Sequence, residues 1–326
     1  MLKIALYNPL VDPTEFIERL RADPDVRLMV AERDEDIAGA VDGAEILITG
    51  TRFYLPEPAA LIRQHGRALR WLNFVTSGID KAVNSGLPPN VVVTNVAGVR
   101  AFAVAEHGFA LMLGLARYVR ASEIARLKEA WVRDDITQPI TNLARRHLVI
   151  VGTGAIGQEI ARLAKAFNMH VTGISRSTAP LENFDDIRPR EALVETAREA
   201  DYLMVAALAG PQTDGMISRA VIDALRPTAF LINIARGSLV EEPALIEALQ
   251  AGRIAGAGLD VMETEPLPPG HPLWSMENVL LTPHVAGAGD AGIITAASLF
   301  IDNLERWRTG QRLRNIVMEA DGERAT

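Results

Sequence analysis

The stretch from Arg146 to Ser177, RHLVIVGTGAIGQEIARLAKAFNMHVTGISRS, restricts the fold more than any other part of the chain. Its apolar run His147 to Val151 has the length of a buried strand, and Gly152-Thr153-Gly154-Ala155-Ile156-Gly157 follows at once. Ile156, Ile160, Leu163 and Phe167 then recur at helical spacing, and Val171 to Ile174 reads as a second strand. Gly152 allows a tight turn, Gly154 lets the backbone approach a pyrophosphate, and Gly157 lets the helix pack on the strand. The start of the helix, Ala155 and Ile156, offers unpaired amides and the positive end of the dipole to phosphates. A GxGxxG pattern alone is a weak signal. Bracketed by strand, helix and strand, it predicts dinucleotide binding.

The 326 residues are enough for two domains with buried cores. A hydrophobic content of 48% suits large apolar strands, and no run approaches the roughly 20 residues of a membrane helix. Cysteine is absent, which excludes disulfides, thiolate zinc sites and cysteine nucleophiles, and no metal centre is expected. A formal charge of -8 without a dense basic block argues against a nucleic-acid surface. The N-terminal MLKIALYNP enters a strand directly and does not read as a basic leader. These features together predict a cytoplasmic α/β protein with no nucleic-acid or membrane partner.

Before the glycine stretch, strands and helices alternate. Lys3 to Tyr7, Leu28 to Val30, Ile46 to Thr49, Trp71 to Val75 and Val91 to Asn95 read as strands; Thr14 to Arg21 and Leu61 to His65 read as helices. This rhythm predicts a parallel sheet covered on both faces. No glycine fingerprint follows its first strand, so a second dinucleotide site is not expected. Phe102 to Ile124 reads as one long helix, in which Glu106 and His107 are adjacent, do not share a face, and are structural rather than catalytic in character. Beyond the fingerprint, Asp201 to Ala207, Ala229 to Asn233, Gly256 to Val261 and Val279 to Leu281 read as strands. Ile217 to Leu225 and Pro243 to Gln250 read as helices, the second with proline at its favoured first position. Ile293 to Trp307 is a final helix, and its pattern leaves open which unit it joins.

Open parallel sheets bind ligands beyond the carboxyl ends of their strands. Arg236, Glu265 and His284 each follow a strand of the fingerprint unit on that edge. Arg236, after the apolar run FLINIA, has little packing reason to be there and can hold a carboxylate in its planar fork. His284 supplies an imidazole suited to proton exchange near neutrality. Glu265 can take the other ring nitrogen and stabilise the protonated ring. Ala207, Leu208 and Thr213, Ile234 and Ala235, and Ala286 and Gly287 are strand-end candidates for cofactor contact. In the first unit the equivalent loops are Thr49 to Arg52 and Val75-Thr76-Ser77-Gly78-Ile79-Asp80, where Ser77 and Gly78 can present successive amides to a carboxylate. Arg52 suits either a second negative group on a substrate or a solvated surface.

Taken together, these stretches resemble the D-isomer-specific 2-hydroxyacid dehydrogenases. The similarity covers nearly the full length and is densest from Val91 to Gly287, in VVVTNVAGVRAFAVAEH, VIVGTGAIG, INIARGSLVEEPALIEAL, GAGLDVMETEPLPPGHPLW and NVLLTPHVAG. The resemblance implies an α/β fold of two Rossmann-like parallel-sheet domains separated by a cleft, with the substrate domain discontinuous in sequence. Residues 1–98 would begin the substrate domain, 99–286 form the NAD(P)-binding domain, and 287–326 return to the first. The helix after Val99 and the following arm would form a homodimer interface. The likeness makes Arg236 the catalytic arginine, Glu265 the catalytic glutamate and His284 the acid/base, with Arg236 and His284 touching both substrate and cofactor. Glu265 argues against the formate dehydrogenases of this superfamily, which are expected to use glutamine there. Asp260 matches an aspartate near the nicotinamide, Val75 to Gly78 matches the carboxylate-binding segment, and Arg52 and Trp274 would line the substrate side.

The cofactor is read from the end of the same opening stretch. An NAD site usually carries an acid at the end of its second strand, where it binds the ribose hydroxyls. Here Ser175, Arg176 and Ser177 occupy that neighbourhood. A hydroxyl and a guanidinium can bind a 2′-phosphate that an acid would repel. The serine-arginine pair is similar to that of NADPH-using glyoxylate and hydroxypyruvate reductases, so NADP(H) is expected. NAD(H) stays open, because Arg176 can also stack on adenine. The expected reaction is reduction of glyoxylate, hydroxypyruvate or a related small 2-oxo acid. NAD-dependent oxidation of D-3-phosphoglycerate or another D-2-hydroxy acid is the alternative. A nucleotide-sensing corepressor on the same scaffold is a third reading, against which the intact Arg236, Glu265 and His284 count.

Overall fold

A computed structural model of the chain describes residues 1–7, 14–137, 140–289 and 291–323, with backbone alone for 14–15 and 291–295. The chain divides into two units, Met1–Arg100 with Gly289–Thr326, and Ala101–Ala288. In the first, the apolar runs form β1 (Leu2–Tyr7), β2 (Val26–Ala31), β3 (Ile46–Thr49), β4 (Trp71–Phe74) and β5 (Val92–Thr94). Helices α1 (Thr14–Ala22), α2 (Ile37–Val41), α3 (Pro56–His65) and α4 (Asp80–Ser85) separate them. The five strands are parallel in the order β2-β1-β3-β4-β5. Every residue of β3 and β4 is buried, as a sheet covered on both faces requires.

The second unit opens with α5 (Ala101–Ala116), α6 (Val119–Leu127) and α7 (Arg133–Thr137). The glycine stretch follows as β6 (His147–Val151), α8 (Ala155–Ala166) and β7 (His170–Ser175), then β8 (Asp186–Pro189), α9 (Leu193–Ala197) and β9 (Tyr202–Val205). Helix α10 (Arg219–Ala224), β10 (Phe230–Asn233), α11 (Glu242–Gln250), β11 (Gly256–Leu259) and β12 (Val279–Leu281) complete it. All seven strands are parallel, in the order β12-β11-β10-β9-β6-β7-β8. The order reverses between β6 and β9. That reversal opens a crevice at the carboxyl ends, where such sheets take their ligands.

The long helix expected over 102–124 is in fact two. The end of α5 tightens, with the Tyr118 amide donating to the Leu115 carbonyl at 3.2 Å, and Tyr118 takes a left-handed conformation at φ 53°. The chain turns there, and Arg120 Nη1 from α6 reaches the Val279 carbonyl. Apolar spacing continues across the break without glycine or proline, so the sequence carries no stop signal.

After the second unit the chain forms α12 (Ala291–Arg308) and a further strand, β13 (Ile316–Met318), which the apolar pattern did not announce. β13 pairs antiparallel with β5. Phe300 of α12 stacks on Trp71 of β4 with ring centroids 5.0 Å apart, and Trp307 lies 5.7 Å from the same indole. The last helix therefore closes the core of the first unit, together with Ile4, Leu6 and Ile48. Among the described residues, no helix is long and apolar enough to cross a membrane.

Candidate active site

The glycine loop has the geometry of a phosphate cradle. Gly152 leaves β6 at φ 104°, and a Cβ there would fall 2.7 Å from the Ala207 backbone, so the loops after β6 and β9 run against each other. A Cβ on Gly157 would stand 2.0 Å from the Gly152 carbonyl oxygen, which seats the first turn of α8 on the loop. At Gly154 the same position meets nothing within 4 Å. The amides of Ala155 and Ile156 donate no hydrogen bond among the described residues. Free donors at a helix start, with an open approach, fit a pyrophosphate.

At the end of β7, Ser175 is half-buried while Arg176 and Ser177 are exposed. Ser177 Oγ accepts from the Ala179 amide at 3.3 Å, and Arg176 has no ion pair among the described residues. The loop after β9 is closed on itself, with Thr213 Oγ1 donating to the Leu208 carbonyl at 2.8 Å and Leu208 left 87% exposed.

Three further loops meet along the carboxyl edge. At the end of β10 the buried Asn233 accepts the Ala235 amide at 3.1 Å and donates to the Arg236 carbonyl at 2.8 Å. This bracket buries Ile234 and Ala235 and fixes the backbone of Arg236, whose half-buried guanidinium donates to the Ala235 carbonyl at 2.6 Å. Only glycine fits next. A Cβ on Gly237 would sit 2.0 Å from the Met262 carbonyl, so the loops after β10 and β11 lie flush. The Met262 amide donates to Glu265 Oε1 at 3.3 Å, and Glu265 Oε2 faces His284 Nδ1 at 2.8 Å. A carboxylate can only accept, so this contact assigns a proton to Nδ1. Nε2 makes no hydrogen bond among the described residues and is the ring's remaining proton position.

His284 adopts a left-handed backbone at φ 55°, which its neighbours enforce. Its amide donates to the Asp260 carbonyl at 2.8 Å and the Thr282 carbonyl at 3.0 Å. The Asp260 carboxylate, 1% exposed, accepts from the Thr282 hydroxyl at 2.7 Å and from the Val285 and Ala286 amides at 2.9 Å each. Asp260 therefore organises the His284 turn from inside. Gly287 is half-buried just beyond that turn. Trp274 is exposed on the loop of Glu265 and donates Nε1–H to the Pro268 carbonyl at 2.9 Å. Asn233 and Thr282 escaped the sequence reading. The available signal was a polar residue closing an apolar strand, since a polar group buried there must be bonded.

In the first unit, the loops after β3 and β4 are tied by a 3.0 Å contact between the Thr51 and Thr76 hydroxyls. Ser77 Oγ donates to the Val96 carbonyl at 3.2 Å, and Asn95 Nδ2 to the Ser77 carbonyl at 2.5 Å. The amides of Thr76, Ser77 and Gly78 donate to nothing among the described residues, while that of Val75 is engaged by Thr49. Arg52 is exposed. Among the described residues no group of histidine and acidic side chains is placed to hold a metal ion.

Comparison with known proteins agrees on one family. Residues 109–286 match the model of the D-isomer specific 2-hydroxyacid dehydrogenase NAD-binding domain. A glyoxylate reductase of Pyrococcus furiosus is 40% identical over 242 residues, covering 72% of this chain and 69% of that protein. The crystal structure of a D-isomer specific 2-hydroxyacid dehydrogenase family protein from Aeromonas salmonicida superposes with a TM-score of 0.86 at 28% identity, covering 97% of this chain and 98% of the other. The NADPH-dependent glyoxylate/hydroxypyruvate reductase of Sinorhizobium meliloti, solved with NADP and malonate, gives a TM-score of 0.76 at 29% identity over 99% of both chains. The chain belongs to the D-isomer-specific 2-hydroxyacid dehydrogenase family, oxidoreductases that act on a CH–OH group with a nicotinamide cofactor.

Proposed function

We propose that this chain reduces a small 2-oxo acid, glyoxylate or hydroxypyruvate, to the D-2-hydroxy acid with NADPH. The observation that carries the chemistry is the 2.8 Å pair between Glu265 and His284 Nδ1, which leaves Nε2 unengaged at the carboxyl edge. Arg236 would hold the substrate carboxylate through its fork and polarise the 2-oxo group. The free amides of Thr76, Ser77 and Gly78 are the first unit's own candidates for holding a carboxylate. A bound nicotinamide supplies the hydride that reduces C2. Protonated His284 gives its Nε2 proton to the developing alkoxide, and in the oxidative direction neutral Nε2 takes that proton back. Glu265, steadied by the Met262 amide, keeps the Nδ1 proton in place and the ring in register. Asp260 acts in this reading by shaping the loop beside the nicotinamide.

The preference for NADPH rests on Ser175 and Arg176. Both stand at the ribose end of the fingerprint, and Arg176 is exposed without an ion pair among the described residues. The named activities of the Pyrococcus furiosus and Sinorhizobium meliloti relatives support the choice of substrate and cofactor. A homodimer in the cytoplasm belongs to the same reading. Steady-state assays of glyoxylate, hydroxypyruvate, pyruvate and phosphohydroxypyruvate with each cofactor test the reaction. Arg176→Ala is expected to weaken NADPH about tenfold, the scale of one charged hydrogen bond, with little effect on NADH. Equal losses for both cofactors would remove the phosphate-binding role.

A further inference from the structure

His107 stands apart from the residues assigned so far, on the 16-residue helix α5. We propose that it is a positioning residue for the reaction, acting on His284 through Thr282 and Asp260. The inference rests on His284 being the acid/base. His107 Nε2 lies 2.8 Å from Thr282 Oγ1 and 3.3 Å from Asp260 Oδ1. The Thr282 hydroxyl has one proton, and its 2.7 Å bond to the Asp260 carboxylate uses it. The oxygen can then only accept from His107, which places a proton on Nε2. The result is a directed chain, from imidazole N–H to hydroxyl to buried carboxylate, in which each bond polarises the next.

The far end of that chain is the His284 turn. The same carboxylate binds the Val285 and Ala286 amides, and the Asp260 carbonyl binds the amide of His284 itself. A left-handed histidine persists only where its surroundings over-determine it, and these bonds are the surroundings. The helix reaches the loop because it sits close on the sheet. A Cβ on Gly108 would lie 3.1 Å from Ile234 Cδ1 and Met204 Sδ, and one on Gly258 3.0 Å from Leu111 Cβ. The side chain of His107 keeps only 21% of its exposure, so an apolar replacement would leave the half-buried Thr282 hydroxyl without its donor. His107 thus pins the loop bearing His284 to a rigid helix, and losing the pin lets His284 Nε2 drift from the reacting oxygen.

The test uses the full chain with saturating NADPH and glyoxylate. His107→Leu is expected to lower kcat about five- to tenfold, the scale of one hydrogen bond, with a smaller change in KM. Proton transfer should become slower relative to the other steps, so the solvent deuterium isotope effect on kcat should rise. His107→Gln, which restores an N–H donor at similar reach, should recover most of kcat and return the isotope effect toward the wild-type value. An unchanged kcat in His107→Leu overturns the proposal. So does a lower kcat with an unchanged isotope effect, because a misfolded fraction only reduces the amount of active enzyme. His284→Ala, measured beside them, separates the two ideas: if it turns over normally, the acid/base reading itself has failed.

Discussion

Histidines meet carboxylates at both edges of the seven-stranded sheet. At the amino edge, His147 and His170 begin β6 and β7 as register partners, with ring centroids 4.7 Å apart. His147 uses both nitrogens, Nε2 with the Thr172 hydroxyl at 2.8 Å and Nδ1 with the Glu199 carbonyl at 3.2 Å. His170 pairs with Asp185 at 3.3 Å, but that carboxylate is already bonded to Lys165 and to the Val171 amide. At the carboxyl edge His284, after β12, uses one nitrogen and keeps the other open, and the glycine loop with free amides follows β6 on the same edge. An imidazole–carboxylate contact is therefore no mark of an active site by itself. His170 with Asp185 has one too. What separates the edges is that the crevice of the switch point opens at the carboxyl one, and that His284 there keeps a ring nitrogen without a hydrogen bond among the described residues.

The sharpest way to break this contrast is to substitute one histidine at each edge. His284→Ala is expected to lower kcat by about 100- to 10,000-fold, the contribution of a positioned acid/base, in either direction of the reaction. His170→Gln should leave kcat/KM within about twofold, as for an ordinary surface substitution. Comparable losses at both positions would erase the distinction between the edges. A smaller effect sharpens it. Glu265→Gln keeps an acceptor for the Nδ1 proton and removes the charge, so kcat should fall by roughly 10- to 100-fold, the scale of a charge-assisted hydrogen bond. The loss should remain smaller than in His284→Ala, and a Glu265→Gln enzyme as fast as wild type would leave the carboxylate without a role.

The carboxyl edge was more legible in the sequence than the amino edge, for a physical reason. Gly152 and Gly157 are dictated by backbone clashes, and such constraints appear directly as residue type. Arg236, Glu265 and His284 could be recognised as polar residues just past apolar strands. Their supports could not be read so easily. The link from His107 to Thr282 spans 175 positions, and the sequence placed His107 only as a structural residue of a helix. The break at Tyr118 was hidden because apolar spacing runs through it. β8 escaped because its four residues, Asp186 to Pro189, lie at the sheet edge with no buried position to create a pattern. β13 escaped similarly, as three partly buried residues paired antiparallel at the end of the other sheet. Local backbone demands are written in single residues. Long-range contacts, and edge strands without a buried residue, are not.

The smallest expected effect concerns the amino edge alone and is read in stability rather than rate. Burial lowers the pKa of His147 below its ordinary value, and the neighbouring His170 adds to that, while the Glu199 carbonyl opposes it and Arg188 reinforces it. The folded state therefore binds a proton at His147 less readily than the unfolded chain does. Stability from this group is fully present above the unfolded value, near pH 6.5, and is lost as the pH falls from there through the lowered folded value. His147→Gln retains a partner for Thr172 but cannot titrate. Its melting temperature should fall less steeply than that of wild type between about pH 7 and pH 5, by on the order of 1–3 °C over the window. Carboxylates that protonate at lower pH are common to both proteins and cancel in the difference. Parallel melting curves would mean that His147 is satisfied by its two hydrogen bonds alone, and that the amino edge carries no proton-linked stability through it. Activity should be unchanged in the variant at pH 7, because the ring lies at the opposite end of the strands from His284.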